Sequence, residues 1–272
     1  MTQGTAPGRD LSYEWLVTTR AIVILSLLLG ACGDDGHDTA DASTSAIDAD
    51  TTPDSALGDA PVDAFVPCFG KQLFTGEYVD WDSTPMDFHG VPDATAVEVS
   101  NASNTATTAP NGRLILCLDN GVNADVEFTQ TSYWPLMFSS HAQVTTLGNG
   151  YSTKGLTPAR ATQLASDLGV GTLSGTQVLI EVRNMKTEAP VSGVTVALTG
   201  DIVGGAFAMD ASRQWSAGNV TIGGGYVLFT NVADAGGTVS LSVTPSGGET
   251  CTARASVTLE DGGIAATSVH CE

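Results

Sequence analysis

The acidic side chains of the foldable part are densest in the segment Glu77-Tyr-Val-Asp-Trp-Asp-Ser-Thr-Pro-Met-Asp87. Within it, Asp80, Asp82 and Asp87 could offer carboxylate oxygens, which are the ligands that Ca²⁺ prefers. The segment lacks the glycine and the distant glutamate of an EF-hand loop. A strand end or turn with solvated carboxylates is therefore the competing interpretation of this calcium hypothesis.

Two histidines could complete a metal centre with one of these aspartates. His89 follows Asp87 closely, and His141 lies in a later segment. Imidazole and carboxylate groups hold catalytic metal ions, so a secreted metalloenzyme is one hypothesis. Isolated histidines of β-rich domains are more often surface or hydrogen-bonded residues. The sequence has no Gly-x-Ser-x-Gly, His-Glu-x-x-His or phosphate-binding glycine loop, so we expect a protein that is not an enzyme and that needs no cofactor.

Three aromatic residues could bind a ligand by stacking. Tyr133, Trp134 and Trp215 have ring faces that suit sugar rings. The segment from Tyr133 to Phe138 can also be interpreted as a turn that leads into a core strand. Exposure of Trp134 and Trp215 on one shared face would favour binding, whereas burial would favour a scaffold.

A short apolar segment ends at the first cysteine of the chain. The uncharged run 21–31 is too short to span a bilayer, which needs about 20 residues, but it suits a signal peptide. Its last residues, Leu29-Gly-Ala-Cys32, resemble the lipobox of bacterial lipoprotein precursors. The resemblance implies that residues 1–31 are removed and that Cys32 carries acyl chains such as palmitate. Gly33, where lipoproteins of the inner membrane often have Asp, implies the outer membrane; a general secretory signal is the alternative.

The segment before Arg20 is long for a leader and contains Asp10 and Glu14. This composition predicts that translation starts at Val17, which would give a short leader with Arg20 as its positive charge. Initiation at Met1 is the alternative.

The charge balance restricts the partners. The 272 residues include 30 acidic and 10 basic side chains, a net charge of −20. Nucleic acid is excluded as a partner because phosphate binding needs clustered Lys and Arg. Nine aspartates and no basic residue lie between Gly33 and Asp63. We therefore expect residues 32–67 to be the lipidated cysteine followed by a disordered, solvated linker, and attachment to a membrane to need the lipid.

The four remaining cysteines are Cys68, Cys117, Cys251 and Cys271. An even number in an exported chain favours disulfides over free thiols or zinc. A hairpin centred on Asp261-Gly262 would place Cys251 and Cys271 nearly opposite each other. We therefore predict the pair Cys251–Cys271 and, by elimination, the pair Cys68–Cys117.

The elements that must position these residues are mostly short strands. Apolar residues alternate with polar ones at Val178, Ile180 and Val182, at Val194, Val196 and Leu198, at Val239, Leu241 and Val243, and from Ala253 to Leu259. A period of two with glycine-rich turns is typical of half-buried antiparallel strands. One helix is predicted: Thr157 caps it, Pro158 begins it and Gly169 ends it.

The predicted fold is mainly β, with two antiparallel β-sandwich domains, at 68–155 and 177–272, joined by the helix and linker at 156–176. Both blocks contain short motifs: Gly90 to Val99 and Thr108 to Leu116 in the first, and Ala189-Pro-Val-Ser-Gly-Val-Thr-Val-Ala-Leu198 in the second. These motifs resemble the carboxypeptidase regulatory-like, or transthyretin-like, β-sandwich. The resemblance implies a non-catalytic accessory domain.

Three functions are therefore compared. The first is a non-enzymatic, membrane-anchored lipoprotein of the bacterial envelope that displays β-sandwich modules for adhesion or envelope assembly. The second is a lipoprotein that binds a glycan or another small ligand. The third is the secreted metalloenzyme.

Overall fold

The structure, a computed structural model, describes residues 68–84, 86–141, 151–233 and 237–272. The predicted signal peptide, Cys32 and the predicted linker lie outside these residues. The described residues all belong to one compact unit.

Within the described residues the chain forms sixteen strands and one helix. The first seven strands are β1 (Gln72–Asp80), β2 (Thr95–Glu98), β3 (Asn101–Thr107), β4 (Arg113–Leu118), β5 (Asp125–Thr129), β6 (Leu136–Ser139) and β7 (Tyr151–Gly155). The helix α1 (Pro158–Leu168) follows. The other strands are β8 (Thr176–Asn184), β9 (Val194–Leu198), β10 (Asp201–Met209), β11 (Trp215–Ala217), β12 (Tyr226–Ala233), β13 (Thr238–Pro245), β14 (Cys251–Thr252), β15 (Ser256–Thr258) and β16 (Ile264–Cys271).

Ten of these strands form one central sheet. Its order is β11-β10-β12-β8-β16-β6-β5-β2-β3, and β14 also pairs with β16. Strand β16 runs parallel to β6 on one side and to β8 on the other, and Ala265 lies between Met137 of β6 and Val178 of β8. Strands from both predicted domains thus share a sheet. The division at 156–176 does not separate two sheets, and the two-domain description stays a prediction.

Two three-stranded sheets cover the central sheet. They have the orders β4-β1-β7 and β15-β13-β9. Val178 and Ile180 of β8 belong to one hydrophobic core, whereas Leu179 between them belongs to the other. Successive side chains of a strand point to opposite faces, so the two cores lie on opposite faces of the central sheet. We predicted a strand with one buried face here; β8 is buried on both, because each face is covered by its own small sheet.

The mainly β class is confirmed. Strand β13 has the predicted alternation, with Val239 and Leu241 buried, and pairs antiparallel with β9 and β15. Three pairs are parallel instead: β1 with β7, β6 with β16, and β8 with β16. Alternation of apolar residues does not specify strand direction, so the sequence did not indicate these pairs.

The helix is confirmed with its predicted ends. The Thr157 hydroxyl accepts a hydrogen bond from the Arg160 N–H at 3.2 Å, which satisfies one of the free donors of the first turn. Gly169 ends the helix with a left-handed φ of 68°. Leu164 is fully buried in the core. Within the described residues no helix is long and apolar enough to cross a membrane.

Both predicted disulfides are confirmed. Cys68 bonds Cys117, with a Cα–Cα distance of 5.3 Å, and Cys251 bonds Cys271 at 4.0 Å. The predicted register of the second pair is also correct, since the two cysteines face each other across β14 and β16. The single strand predicted from Ala253 to Leu259 is wrong, because the chain leaves the central sheet after β14 and β15 pairs with β13.

Candidate functional site

The structure gives Asp80 and Asp82 separate partners. Asp80 Oδ2 accepts a hydrogen bond from the Tyr133 hydroxyl at 3.1 Å, and its Oδ1 accepts one from the Asp82 backbone N–H. Asp82 Oδ2 binds Arg160 Nε at 2.8 Å. The third carboxylate, that of Asp87, lies 3.0 Å from His89 Nε2. The predicted calcium ligands are therefore not brought together around one position.

The two histidines of the predicted metal centre, His89 and His141, contact different residues. His89 binds Asp87, while the His141 ring lies edge-on to His270 with 5.1 Å between the centroids. Burial lowers the pKa of His141. The pKa of His270 is lowered to about 4, mainly by burial and to a smaller extent by the nearby His141. Among the described residues no group of three or more His, Cys, Asp and Glu side chains is arranged to hold a metal ion.

The three predicted stacking residues lie in different surroundings. Tyr133 packs edge-on against Tyr78, and burial together with Asp80 raises the pKa of Tyr133 to about 12. Trp134 is half-buried and lines a pocket beside α1. Trp215 is also half-buried, but it stacks on Trp81 with 6.3 Å between the ring centroids. The two tryptophans thus line different pockets.

The pocket beside Trp81 and Trp215 is the candidate site, and we call it the tryptophan pocket. Its volume is about 310 Å³, within the range of small-molecule sites. The lining residues come from the turn after β1, from β7, α1, β8 and β12, and from β10, β11 and the turn between them: Trp81, Asp82, Lys154, Arg160, Leu179, Met209, Ser212, Arg213, Gln214, Trp215 and Tyr226.

A tight turn between β10 and β11 presents Arg213. Asp210 Oδ1 accepts hydrogen bonds from the backbone N–H groups of Ser212 and Gln214, each at 2.8 Å. The Asp210 carbonyl accepts from the Arg213 N–H at 3.0 Å. Arg213 adopts a left-handed φ of 66°, a conformation that favours Gly or Asn. The turn holds its arginine in a strained backbone conformation.

The guanidinium of Arg213 reaches across to the turn after β1. Its two terminal nitrogens donate to the backbone carbonyls of Asp82, at 2.6 Å, and Trp81, at 3.2 Å. These bonds tie the β10–β11 turn to the end of β1. They also fix the position of Trp81 against Trp215, the first residue of β11.

Lys154 is the second cation of the tryptophan pocket. Its Nζ donates to the Ser83 carbonyl at 2.8 Å. Burial lowers the pKa of Lys154 to about 8, Arg213 acts in the same direction, and nearby carboxylates, Glu181 first among them, partly offset the effect. Among the residues that the structure describes, neither Lys154 nor Arg213 forms an ion pair with a carboxylate.

Tyr226, which lines this pocket, belongs to a hydrogen-bonded group. The Tyr226 hydroxyl donates to Glu181 Oε1, and Arg183 Nη2 binds the same oxygen at 2.7 Å. Burial and the charge of Glu181 raise the pKa of Tyr226 well above its ordinary value. Burial acts to lower the pKa of Arg183, but the charge of Glu181, together with Tyr226 and the hydrogen bonds to both side chains, more than offsets burial, so the pKa is raised. Tyr226 is thus held neutral and Arg183 charged.

A larger groove adjoins the tryptophan pocket. Its volume is about 810 Å³, and both cavities are lined by Lys154 and Tyr226. Arg113 and Arg183 also line the groove. Residues 64–272 contain eight Lys and Arg side chains, and five of them line the two cavities. The few cations of an acidic protein are therefore concentrated here.

The sequence pointed to Trp215 but not to Trp81, Lys154 or Arg213 beside it. Trp81 lies between two aspartates that were considered only as carboxylates, and Lys154 and Arg213 are isolated cations in polar segments. They come from the turn after β1, from β7 and from the β10–β11 turn, which only the tertiary fold brings together.

Comparisons with known proteins give no family. No protein-family model and no curated protein matches the chain. Solved structures that match include a double mutant of the shaft pilin SpaA from Lactobacillus rhamnosus GG, with 11% identity over 74% of this chain and 97% of that chain and a TM-score of 0.26. GBS52, the minor pilin of Streptococcus agalactiae, has 11% identity over 74% and 95%, with a TM-score of 0.27. The Bacillus anthracis TIE protein has 10% identity over 74% and 34%, with a TM-score of 0.26. Likeness at these TM-scores carries no inference about function.

Proposed function

We propose that this protein is a non-enzymatic lipoprotein of the bacterial envelope, which displays its β-rich body at a membrane surface for adhesion or envelope assembly. The observation that carries the proposal is Leu29-Gly-Ala-Cys32 directly after the apolar run 21–31. Cleavage before Cys32 and acylation of its thiol and its new amino group anchor the chain. More than one acyl chain is needed, because a single chain gives only marginal membrane binding. Gly33, where lipoproteins of the inner membrane often have Asp, favours the outer membrane.

The cysteines support an address outside the cytoplasm. The body has two disulfides, and such bonds persist in oxidising compartments. These bridges use four of the five cysteines in the sequence. The fifth, Cys32, remains for the lipid in this proposal.

The charge of the protein supports a lipid as the means of attachment. A net charge of −20 is repelled by an anionic membrane surface, so electrostatic attraction cannot hold the protein there. Acyl chains bind by burial of hydrocarbon, at about 0.8 kcal/mol per CH₂ group, and tolerate this repulsion.

The anchor is tested by expressing the full chain in bacteria fed an alkyne analogue of palmitate. We expect the analogue to label the wild-type protein, and the labelled protein to sediment with membranes. Cys32→Ser should lose the label and leave the membrane fraction. Cys68→Ser is the matched control, since it removes another cysteine and should keep the label on denaturing gels. Equal labelling of the Cys32→Ser and wild-type proteins would refute the proposal.

A second function, binding of a small ligand, is favoured by the tryptophan pocket. This pocket combines the half-buried indole of Trp215 with two cations, Arg213 and Lys154, that have no carboxylate partner among the described residues. A concave site with aromatic walls and a few polar groups is typical of ligand binding. Screening the full chain on a glycan and small-ligand array tests it, and Trp215→Ala should abolish any specific signal. A signal that survives Trp215→Ala would exclude the tryptophan pocket as its source.

A further inference from the structure

We propose that the tryptophan pocket binds an acidic saccharide, meaning a sugar ring that carries a carboxylate. The inference rests on the ligand-binding function proposed above and names the ligand class of the same pocket. Trp81 and Trp215 form its aromatic wall, and Arg213 and Lys154 supply its positive charge.

Within the part of the chain that the structure describes, hydrogen bonds leave some donors of the two cations unused. An arginine has five N–H donors, and the bonds of Arg213 to the carbonyls of Trp81 and Asp82 account for two of them. The ammonium of Lys154 has three donors, one of which binds the Ser83 carbonyl. A carboxylate offers the acceptors that a guanidinium fork and an ammonium bind best.

The backbone of Arg213 points to a role for its side chain. Its φ of 66° lies in the left-handed region, where Gly would be accommodated without strain. Strained residues are held in place by surrounding structure and concentrate at functional sites. Here the two Asp210 Oδ1 hydrogen bonds hold the turn in this conformation. We infer that arginine occupies the position for the charge it presents to the pocket.

The aromatic wall and the turn provide the remaining contacts of a sugar. Trp81 is buried and supports Trp215, which is half-buried and lines the pocket. The apolar C–H face of a sugar ring can stack on this indole. Ser212 and Gln214, on the same turn as Arg213, supply a hydroxyl and an amide that can bind sugar hydroxyls.

The charge distribution favours a short anionic ligand over a long polyanion. A nucleic acid extends far beyond the pocket, and a protein with a net charge of −20 repels it. A short oligomer of uronic acids carries only a few carboxylates, one per ring, and the local positive charge of Arg213 and Lys154 can attract it. Because the adjoining groove shares Lys154 and Tyr226 with the pocket, several rings can be accommodated.

Calorimetry on the full chain in detergent tests the inference with three probes. Trigalacturonate is the acidic saccharide, galactotriose is the neutral one, and triglutamate is an acidic peptide. We expect trigalacturonate to bind at least tenfold more tightly than galactotriose, because charge-assisted hydrogen bonds contribute that much or more. It should also bind more tightly than triglutamate, which has the charges but no sugar ring to stack on Trp215. Galacturonate itself should bind more weakly than its trimer.

Variants locate the binding. Arg213→Gln and Lys154→Gln should each weaken the binding of trigalacturonate roughly tenfold or more. Trp215→Ala should weaken it as well, by removing the stacking wall. Lys186→Gln is the matched control for loss of one positive charge, because Lys186 is exposed and lines neither cavity, and it should bind as the wild type does. Circular dichroism identifies the folded variants, and the two cation variants provide independent tests.

The outcomes separate this inference from the function on which it rests. Galactotriose binding as tightly as trigalacturonate, with loss in Trp215→Ala, would overturn the acidic class and leave a glycan-binding pocket. Triglutamate binding as tightly as the saccharide would overturn the saccharide and leave an acidic peptide as ligand. Binding that is unchanged in Arg213→Gln, Lys154→Gln and Trp215→Ala, or no binding of any probe, would overturn the assignment of this pocket.

Discussion

Arg254 and Asp125 form a half-buried ion pair between the chain after β14 and the start of β5. Arg254 Nη2 donates to Asp125 Oδ2 at 3.0 Å, and Nη1 bonds the other carboxylate oxygen. Asp125 also accepts hydrogen bonds from the hydroxyls of Ser139 and Thr258. The Asp125 carboxylate therefore connects the central sheet to β15 of the sheet β15-β13-β9. The connection lies where the chain leaves the central sheet after β14, instead of continuing as one strand of the predicted hairpin.

Asp125→Ala should lower the free energy of unfolding by about 3–5 kcal/mol, because it leaves the Arg254 guanidinium buried without its counter-charge. The matched control is Arg113→Ala, which removes a pair with Glu77 whose arginine side chain is 70% exposed. That loss should be about 0–1 kcal/mol. Urea denaturation followed by circular dichroism measures both. Similar losses in the two variants would mean that the Asp125 pair contributes no more than a surface pair.

The stacked tryptophans should contribute unequally to stability. Trp81 is 4% exposed, so Trp81→Ala should lower the free energy of unfolding by about 3–5 kcal/mol. Trp215 is only half-buried, and Trp215→Ala should lower it by about 1–2 kcal/mol, mostly through the lost ring pair. Guanidinium denaturation compares the two variants. If Trp215→Ala lowered the free energy of unfolding more than Trp81→Ala, Trp81 would not be the buried residue that supports the ring of Trp215.

The two disulfides should contribute different amounts to the stability of the folded protein. Cys68–Cys117 closes a loop with a sequence separation of 49, and Cys251–Cys271 closes one of 20. Constraint of the unfolded chain predicts contributions of about 4 and about 3 kcal/mol respectively. The paired replacements Cys68→Ala/Cys117→Ala and Cys251→Ala/Cys271→Ala are compared by thermal unfolding. The loop-length account fails if removal of the shorter loop is clearly the more damaging.

Lys154 should make stability depend on pH in the alkaline range. Its pKa is lowered to about 8 in the folded protein from an ordinary value of 10.5. Between these values the folded state has lost the proton and the unfolded state retains it, so the free energy of unfolding should rise with pH. Arg213 lowers this pKa further, and Glu181, Asp82 and Asp80 oppose it.

Urea denaturation at pH 7.5 and at pH 10 measures this rise. Lys154→Met should show a smaller rise than the wild type, because it lacks the titrating group. Lys186→Met, an exposed control, should keep the rise of the wild type. Equal rises in Lys154→Met and the wild type would mean that the pKa of Lys154 is not lowered.

The features that could be predicted from the sequence are those that depend on residues close together in the chain. The signals of α1 lie within one short segment, from the cap at Thr157 to the left-handed stop at Gly169. The pairing of Cys251 with Cys271 followed from the symmetry of a local register. Such features depend on contacts between residues that are close in sequence. They are therefore predicted correctly even though β15, between the two cysteines, pairs with β13 and not with β16.

Features that depend on distant segments were not predictable. The parallel pairing of β6 with β16 joins residues near 137 and 265, and it determines which strands bury both faces. The pocket unites Trp81, Lys154 and Arg213 from three elements that no local pattern connects. The left-handed backbone conformation of Arg213 could not be predicted either, because Gly or Asn is the usual sequence signal for such a turn.

We propose that hydrocarbon on Cys32 holds the protein at its membrane, and the mass of the mature amino terminus is the sharpest test of this anchor. Cleavage of the detergent-purified protein before Asp34 releases the dipeptide Cys32-Gly33. We expect mass spectrometry to find this dipeptide with a diacylglyceryl group on the sulfur and an acyl chain on the amino group. Cys32 with an unmodified thiol, or still joined to residues 21–31, would contradict it.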